Sequence, residues 1–479
     1  MSTNHPYPKR WRALGVIATA QFLVIMDTSI IGVALPDMQK SLGFSPSNLS
    51  WVFNAYVIAL AGLLLLGGKL SDVLGARRVF GAGFAILTAA SLAAGLAPSV
   101  AAEIAARAAQ GVGAALIAPA ALTMLITCFS SDPRELGKAM ALYAAAAPAG
   151  GTAGVFLGGV LTQWLDWPWV FYVNVPIGLA VLFVTARVLP SGRRTRGRID
   201  VLSAVTVTGA LSLLVFGVVR APEVGWTDAA TVWSIGGGVA LLAAFVVMQA
   251  TLRDPLMPLG IFRTKDLAAG NAVMALLGAA WVPMWFFLNL FLQQVLGHGP
   301  FAAGASLLPM TVLMMILMVG ATGRIVGRFG NRRVLVAGLL SLAGGLAILT
   351  AVSPNSTFAA VALPGSLVAA VGMSLAYIPA MLSSMAHAAP SEAGLASGIV
   401  NTTYQIGSAL GLAAMTAVAT SAGANTVGDP VALTDGYSAA FAGAAAIAVV
   451  AAVVAAVFVS RRTSAGQPAE PVAQPTLVS

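Results

Sequence analysis

The chain has 479 residues, of which 58% are hydrophobic and only 9% are charged, and its mean hydropathy is +0.90. A soluble globular protein carries about 25% charged residues, so this composition points to a bilayer as the main solvent and excludes a soluble enzyme. The single cysteine, Cys128, excludes an internal disulfide framework and a cysteine-based metal cluster. The net charge of +9 leaves nucleic acid or acidic partners to be tested against the positions of the basic residues.

Apolar runs of about 20 residues, long enough to cross a bilayer as helices, recur along the chain. They lack the alternation of membrane-barrel strands, and the first is too long for the core of a signal peptide, so we interpret it as a retained span. The sequence therefore predicts an all-α integral membrane protein with 14 transmembrane helices. The predicted spans are 13–34, 51–68, 79–97, 101–127, 138–160, 168–187, 201–219, 231–251, 267–292, 302–322, 334–352, 358–382, 393–419 and 437–459.

The basic residues predict the orientation. With the N-terminus in the cytoplasm, 22 of the 25 Lys and Arg residues fall in cytoplasmic segments, the run Arg193–Arg198 among them. Lys40 and Arg220 fall in outer loops, and Arg107 lies inside a span. This bias predicts a multi-pass protein of the cell membrane with both termini in the cytoplasm. It also explains the positive charge without nucleic acid.

Two cytoplasmic loops repeat the same spacing of glycine and arginine at a distance of 255 residues. A tight turn with arginines retained inside would explain one copy, but two copies in register favour a gating role. Asp72 has no counterpart, because Gly327 occupies its position in the second copy. The shared positions are Gly68, Gly75, Arg77 and Arg78 in the first loop and Gly323, Gly330, Arg332 and Arg333 in the second.

The repeat also predicts the domain organisation. The two loops are eight predicted spans apart, which is the pattern of two six-helix halves with one pair of helices inserted between them. The polar ends of the chain are predicted to be disordered. The predicted units are a cytoplasmic tail over 1–11, an N-terminal six-helix bundle over 12–190, a basic loop with two extra helices over 191–253, a C-terminal six-helix bundle over 254–460 and a disordered cytoplasmic tail over 461–479.

Several segments resemble the major facilitator superfamily, specifically its fourteen-span drug:proton antiporter family of multidrug and antibiotic exporters. The loop Gly68–Arg78 is similar to the signature of that superfamily between helices 2 and 3. Met26–Pro36 is similar to the helix 1 motif, with Gly32 where the family usually has Asn. Arg107–Ala115 resembles the helix 4 motif that is associated with proton coupling in the family.

The resemblance continues along the chain, from about residue 12 to about residue 460. Gly150–Gly159 resembles the antiporter motif of helix 5, with Val155 in place of the usual Pro, and Trp167–Pro176 matches the stretch that follows, with Pro168 in place of Arg. It implies the major facilitator fold and export of small molecules in exchange for protons.

Few ionisable side chains are predicted to lie within the membrane. Asp27 lies roughly 10 Å below the outer end of its span and Arg107 roughly 9 Å below the outer end of its own, at a rise of 1.5 Å per residue. Glu103 lies near the outer end of span 4. A charge at this depth is a candidate for function, so we predict that Asp27 and Arg107 couple transport to protons. A permanent structural ion pair remains the alternative.

Polar and aromatic side chains recur at helical spacing within several spans, which suits an adaptable apolar pocket. Hydrogen bonding between helices is the alternative for any one of them. Because no second acid is predicted to be buried in the C-terminal half, we expect a lipophilic substrate that is neutral or singly charged. The predicted substrate-binding residues are Gln21, Asn54, Tyr56, Gln110, Tyr143, Trp281, Trp285, Asn289, Gln293, Tyr377, Asn401, Tyr404 and Gln405.

Gly150, Gly154 and Gly158 form a ladder on one face of span 5, which is typical of close helix packing; a gating role would be indirect, as a smooth interface across which the two halves rock or seal. The chain has no phosphate-binding loop, so an ion gradient is the expected energy source, and no cofactor, metal site or enzymatic constellation is predicted. The leading hypothesis is a monomeric proton-coupled exporter of drugs or antibiotics. The alternatives are a dedicated exporter of one endogenous metabolite, a proton-coupled uptake symporter and a membrane sensor that does not transport.

Overall fold

The computed structural model describes residues 7–460 apart from 130, 191–199, 253–254, 257–258, 261–264, 386–392 and 427. The run Arg193–Arg198 and the tail over 461–479 lie outside the described residues. The regular structure of the described part is helical throughout. Its long helices are α1 Arg10–Leu42, α2 Trp51–Leu70, α3 Ala76–Gly95, α4 Val100–Phe129, α5 Pro133–Trp164, α6 Asn174–Val188, α7 Val201–Val224, α8 Ala229–Thr251, α9 Lys265–Leu290, α10 Pro300–Ile316, α11 Asn331–Leu349, α12 Leu363–Ser384, α13 Ala393–Ala419 and α14 Pro430–Phe458.

Within the described residues, 13 stretches are long and apolar enough to cross a membrane. One of them, Pro46–Gly95, has 50 residues and contains both α2 and α3. The backbone between these two helices changes direction at Gly75, whose φ of +95° is in the region that favours glycine. Several helices run past their predicted ends. α1, for example, continues through Pro36 until Gly43, with a φ of +76°, caps it.

The helices pack in two groups that follow the same pattern. In the N-terminal group, α1–α6, the main pairs are α1 with α5, α2 with α4, α3 with α4 and α3 with α6. In the C-terminal group, α9–α14, the corresponding pairs are α9 with α13, α10 with α12, α11 with α12 and α11 with α14, and α9 also packs extensively on α12 and α14. Each of these corresponding C-terminal pairs has the helix numbers of an N-terminal pair increased by eight, so that α1 with α5, for example, corresponds to α9 with α13. The groups meet where α5 packs on α10 and α2 on α13, and α7 and α8 pack together beside α2 and α13.

The repeated loops have matching geometry. Gly75 and Gly330 both have positive φ, +95° and +85°, so each loop turns where a side chain would be strained. Two residues later, the Nη1 of Arg77 donates to the carbonyl of Leu189, 3.3 Å away, just after α6. The equivalent Arg332 donates to the carbonyl of Ala456 near the end of α14. A guanidinium at a helix C-terminus satisfies an unpaired carbonyl and complements the helix dipole.

The bundle has two ends, and they differ. We call the end that holds the start of α1 and the end of α14 the terminal end, where Arg10 pairs with Glu135 at 2.7 Å and Asp266 accepts from the backbone of Ser460 at 2.7 Å. At the opposite, distal end the two groups are joined by side chains. Gln294 donates to the side-chain oxygen of Gln39 at 2.7 Å.

The burial of α10, the helix that faces α5, also differs between the two ends. On α10, the buried residues lie between Ala303 and Thr311, whereas Val312–Ile316 are all partly or fully exposed. The structure is therefore closed between the groups at the distal end and more open toward the terminal end.

Candidate functional site

The centre of the N-terminal group holds an ion pair. Asp27 lies in the middle of α1 and Arg107 two turns into α4, and the packing of these helices brings Arg107 Nη1 to 2.9 Å from Asp27 Oδ2. Both side chains have no exposed surface. A buried charge is tolerated only when it is paired and hydrogen-bonded, so each of these residues requires the other.

A shell of amides completes the environment of Asp27. Asn174, the first residue of α6, donates to Asp27 Oδ1 at 2.5 Å, and Gln110 Nε2 donates to the same oxygen at 3.1 Å. Gln110 also accepts from Arg107 Nη1 at 2.7 Å and donates to Ser91 of α3 at 2.8 Å. The carboxylate therefore accepts hydrogen bonds from side chains of two other helices, α4 and α6.

The guanidinium of Arg107 has further contacts with α2 and its surroundings. Its Nε donates to the carbonyl of Val52 at 2.9 Å. Its Cζ lies 4.6 Å from the ring centroid of Tyr56 and 5.9 Å from that of Phe171, which is the range of cation–π attraction. Its Nη2 is buried and has no hydrogen-bond partner. The arginine thus keeps one donor available for another acceptor.

Two residues predicted to bind substrate lie in this network. Gln110 bonds directly to the ion pair, and Tyr56 lies against the guanidinium. Asn54, on the same helix as Tyr56, is buried and neither atom of its amide has a partner. The reason is their helix face: α2 and α4 pack tightly together, so these side chains are enclosed within the N-terminal group.

The network also contains residues that the sequence reasoning missed as site residues. Asn174 and Ser91 both bond within it, and Phe171 lies on the other side of the arginine. Asn174 occurs in the stretch that resembles the family, and it is a lone amide beside an apolar run. These two features are the signals that could have indicated it.

The stripe on α9 faces the N-terminal group rather than a pocket. The ring of Trp285 lies directly against Gly32 of α1, where no side chain would fit. Gln293 Nε2 donates to the carbonyl of Val33 at 2.9 Å, and Asn289 donates to its own helix, at the carbonyl of Trp285, 3.0 Å away. Trp281 is buried one turn earlier. In this conformation the stripe forms contacts that close the distal end.

The remaining predicted substrate residues are closer to the open side. Tyr143 donates to Gln21 at 2.8 Å between α5 and α1. The rings of Tyr377 and Tyr404 meet edge to face, with centroids 5.8 Å apart, between α12 and α13. These four side chains are half-buried, as is Gln405, while Asn401 is exposed. The two pairs therefore present hydroxyl, amide and aromatic groups from both groups of helices.

The glycine ladder has a different neighbour from the one predicted. Gly150, Gly154 and Gly158 lie against the backbone of α1, at Phe22, Met26 and Ile30, which belongs to the same group of helices. The predicted close packing is confirmed, but the neighbour is α1 of the same group and not the other half, because spacing along a helix reveals a smooth face but not which helix packs on it. The residue that approaches α10 is Gly159, which lies against Pro300 and Phe301.

The predicted gating loop lies at the terminal end. Gly68 is half-buried near the end of α2, Asp72 and Arg78 are exposed, and Gly75 and Arg77 make the turn and the helix contact described above. The loop therefore joins α2 and α3 to the end of α6, all within the N-terminal group.

The sequence model of the Major Facilitator Superfamily matches residues 17–412 of the chain, and a second match covers residues 323–478. It is 41% identical to the cephamycin export protein CmcT of Amycolatopsis lactamdurans over 90% of this chain and 89% of that protein. It is 36% identical to the puromycin resistance protein pur8 of Streptomyces alboniger, over 91% of this chain and 89% of that one, and 34% identical to the tetracenomycin C resistance and export protein of Streptomyces glaucescens, over 85% and 75%. Among solved structures, an auto inhibited peptide transporter of the POT family aligns with a TM-score of 0.68 at 15% identity, over 96% of this chain and 99% of that chain.

Proposed function

Because the chain belongs to the Major Facilitator Superfamily, we propose that it is a proton-coupled exporter of lipophilic, neutral or monocationic small molecules such as antibiotics. The chain is a multi-pass membrane transporter rather than an enzyme. Its relatives named above are export or resistance proteins for cephamycin, puromycin and tetracenomycin C, which supports export as the direction of transport.

The proposed architecture is two six-helix bundles, α1–α6 and α9–α14, with α7 and α8 inserted between them. The repeated packing pattern and the matching arginine contacts support it. We count Pro46–Gly95 as two crossings, since 50 residues of straight helix would be about 75 Å long in a hydrocarbon core of about 30 Å. This count makes 14 spans, and with the basic residues on the cytoplasmic side the terminal end faces the cytoplasm.

The observation that carries the proton-coupling proposal is the fully buried pair of Asp27 and Arg107. In the present conformation, open toward the cytoplasm, the carboxylate has three donors, which is the arrangement expected after a proton has been released. Protonation of Asp27 from the outside would remove its charge and weaken its bond to Arg107. Because Asp27 is on α1 and Arg107 on α4, that change would loosen a contact within the N-terminal group and so shift the balance between its conformations.

Substrate is proposed to enter from the cytoplasmic side and to contact the half-buried side chains at mid-depth. Gln21 and Tyr404 are both 11 residues along helices that start at the terminal end, roughly 16 Å in. Tyr143 is at a similar depth on α5. Binding near the middle of the bilayer, between two halves, is the usual arrangement in transporters built from repeats. The absence of a carboxylate among these side chains favours neutral or singly charged molecules.

The proposal is tested in everted membrane vesicles with an acidic lumen. Adding a transported compound to the outside should release protons from the lumen, and Asp27→Asn should abolish this release and lower gradient-driven uptake into the vesicles about 100-fold. Asp37→Asn, a half-buried carboxylate on the same helix, is the matched control and should behave like the wild type. Full gradient-driven transport by Asp27→Asn would contradict the proton site.

The range of substrates is tested with the same vesicles. The panel should contain puromycin, a cephamycin and tetracenomycin C, together with unrelated lipophilic monocations and a bis-quaternary dication. We expect transport of several chemically unrelated members and no transport of the dication. Transport of a single compound would instead indicate a dedicated exporter, and proton uptake together with substrate in the same direction would indicate a symporter.

A further inference from the structure

Glu103 is a buried carboxyl group for which the proton cycle above has no role. It lies in the first turn of α4, at the distal end, and its side chain has no exposed surface. Neither of its oxygens has a hydrogen-bond partner. An acidic residue in the first turn of a helix is ordinary when it caps the helix or faces water, but this one does neither. A buried polar group without a partner is unfavourable, so its retention requires another explanation.

The position of Glu103 relative to Arg107 suggests that explanation. The two residues are four apart on α4 and therefore lie on the same helix face, with Glu103 about 6 Å nearer the distal end. The guanidinium of Arg107 has one buried donor, Nη2, without a partner. The carboxyl of Glu103 and the Nη2 of Arg107 both lack a partner. Their residues have the spacing at which a glutamate and an arginine can pair on a helix.

Few other charges act on this carboxyl. The helices packed on α4 are α1, α2, α3 and α5. They contribute Asp27 and Tyr56 near Arg107. Asp37 and Lys40 lie at the distal end of α1, whereas the other charged side chains described on these helices lie toward the terminal end. Glu103 is the fully buried carboxyl group on the distal side of the ion pair in the described part of this helix cluster, since Asp37 is only half-buried.

We propose that Glu103 is a proton relay on the distal side of the Asp27–Arg107 pair. In the step, the O–H bond of protonated Glu103 breaks and an O–H bond forms on Asp27, directly or through one water. Arg107 turns from Asp27, now neutral, to the carboxylate of Glu103, so that the buried cation keeps a counter-charge. Asp27 then releases its proton to the cytoplasmic side, and Arg107 returns to the Asp27 carboxylate as a hydronium ion from the distal water restores the proton on Glu103. One proton has moved inward, and the buried cation has had a carboxylate partner at each step.

This relay rests on the proposed function, and it also explains why one arginine is buried with two acids. If Asp27 were protonated with no second acid nearby, the guanidinium would remain as an isolated buried charge, which is strongly unfavourable. Glu103 removes that barrier because it accepts the arginine at the moment Asp27 releases it. In this structure Asp27 accepts three hydrogen bonds and Glu103 accepts none. It therefore represents the state in which Arg107 pairs with Asp27.

The test compares Glu103→Gln, Glu103→Asp and Asp37→Asn in the everted vesicles. We expect Glu103→Gln to slow substrate-induced proton release about 100-fold, while exchange of labelled for unlabelled substrate without a gradient continues. Glu103→Asp should recover part of the proton release and shift its dependence on pH, which a purely structural role would not do. Wild-type proton release by Glu103→Gln, or equal loss of exchange and proton release in both Glu103 variants, would overturn the relay.

Two further measurements separate this proposal from the one on which it rests. If Asp27→Asn keeps gradient-driven transport, the proposed function fails; if Asp27→Asn is inactive and Glu103→Gln is normal, the relay alone fails. Infrared spectroscopy of the purified protein provides a readout that does not need transport. The carbonyl band of a neutral carboxylic acid should be present in the wild type and reduced in Glu103→Gln. It should also be reduced in Asp27→Asn, where Arg107 turns to an ionised Glu103, and an unchanged band in Glu103→Gln would overturn the relay.

Discussion

The N-terminal and C-terminal groups of helices share one packing pattern but differ in chemistry. The first buries Asp27, Glu103 and Arg107 without exposed surface. The equivalent helices of the second, α9 and α12, carry no acidic or basic residue from Leu267 to the end of α9 or anywhere in α12. Val282 stands 255 residues after Asp27. The repeat therefore provides a scaffold that tolerates ionisable groups at this position but does not require them.

The C-terminal group uses amides and aromatic rings where the N-terminal group uses charges. Asn331 donates to Ser383 at 2.7 Å and to the carbonyl of Pro379 at 3.1 Å, which joins α11 to α12. Neutral hydrogen bonds of this kind hold helices together without the cost of burying charge. We infer that confining the ions to one group leaves the other free to provide packing contacts and substrate surface.

The largest expected effect comes from removing one member of the ion pair. Arg107→Met should lower the free energy of unfolding by about 3–5 kcal/mol, because it leaves the Asp27 carboxylate buried without its cation. The double variant Asp27→Leu with Arg107→Met should recover most of that loss, since apolar side chains then fill the site as they do in the C-terminal group. Thermal unfolding of the purified proteins in detergent measures both.

The control for this pair is Arg10→Met, which removes the half-exposed pair with Glu135 at the terminal end. A pair of that kind contributes at most about 1 kcal/mol. A double variant as unstable as Arg107→Met would contradict the view that the charges are retained for function at the expense of stability.

Much of this comparison could be predicted from the sequence. The apolar runs indicated the helices, and counting residues from the span ends put Asp27 and Arg107 at one depth, where the structure has them 2.9 Å apart. The register of the two loops indicated a displacement of eight helices, which is the displacement in the packing.

Side-chain neighbours could not be predicted in the same way. Helical periodicity defines a face but not the helix that covers it, so it could not identify α1 as the neighbour of both the glycine ladder and the α9 stripe. Asn174 was missed as a site residue because a single amide has no periodicity at all.

A smaller effect is expected where the two groups are alike. Gly154 lies against the backbone of α1, and Gly411 lies against that of α9 in the equivalent helix pair. Because a methyl group at either site would push against main chain, Gly154→Ala and Gly411→Ala should each reduce the free energy of unfolding by about 1–3 kcal/mol. Unfolding in detergent should show similar losses for the two variants.

The matched controls are Gly15→Ala and Gly344→Ala, one in each group. Neither position has an atom within 4 Å of the added methyl group, so both variants should be neutral or slightly stabilised. A large loss for Gly154→Ala with none for Gly411→Ala would show that the shared packing pattern hides unequal close contacts.

The smallest effect concerns the distal contacts between the groups. Gln294 donates to Gln39 at 2.7 Å and accepts from Tyr437 at 2.6 Å, so Gln294→Ala should weaken the distal closure by about 1 kcal/mol. That corresponds to a shift of about fivefold in the ratio of distal-closed to distal-open molecules. Spin labels on two new cysteines at the distal ends of α1 and α9 measure it, with the buried Cys128 replaced first. Gln249→Ala, which removes a bond of 2.8 Å to Ser203 between α8 and α7, should leave the ratio unchanged. An equal shift in both variants would mean that the distance between the spin labels reports a general loosening of the protein. It would then not report the uncharged contacts by which the C-terminal group closes the distal end against the N-terminal group.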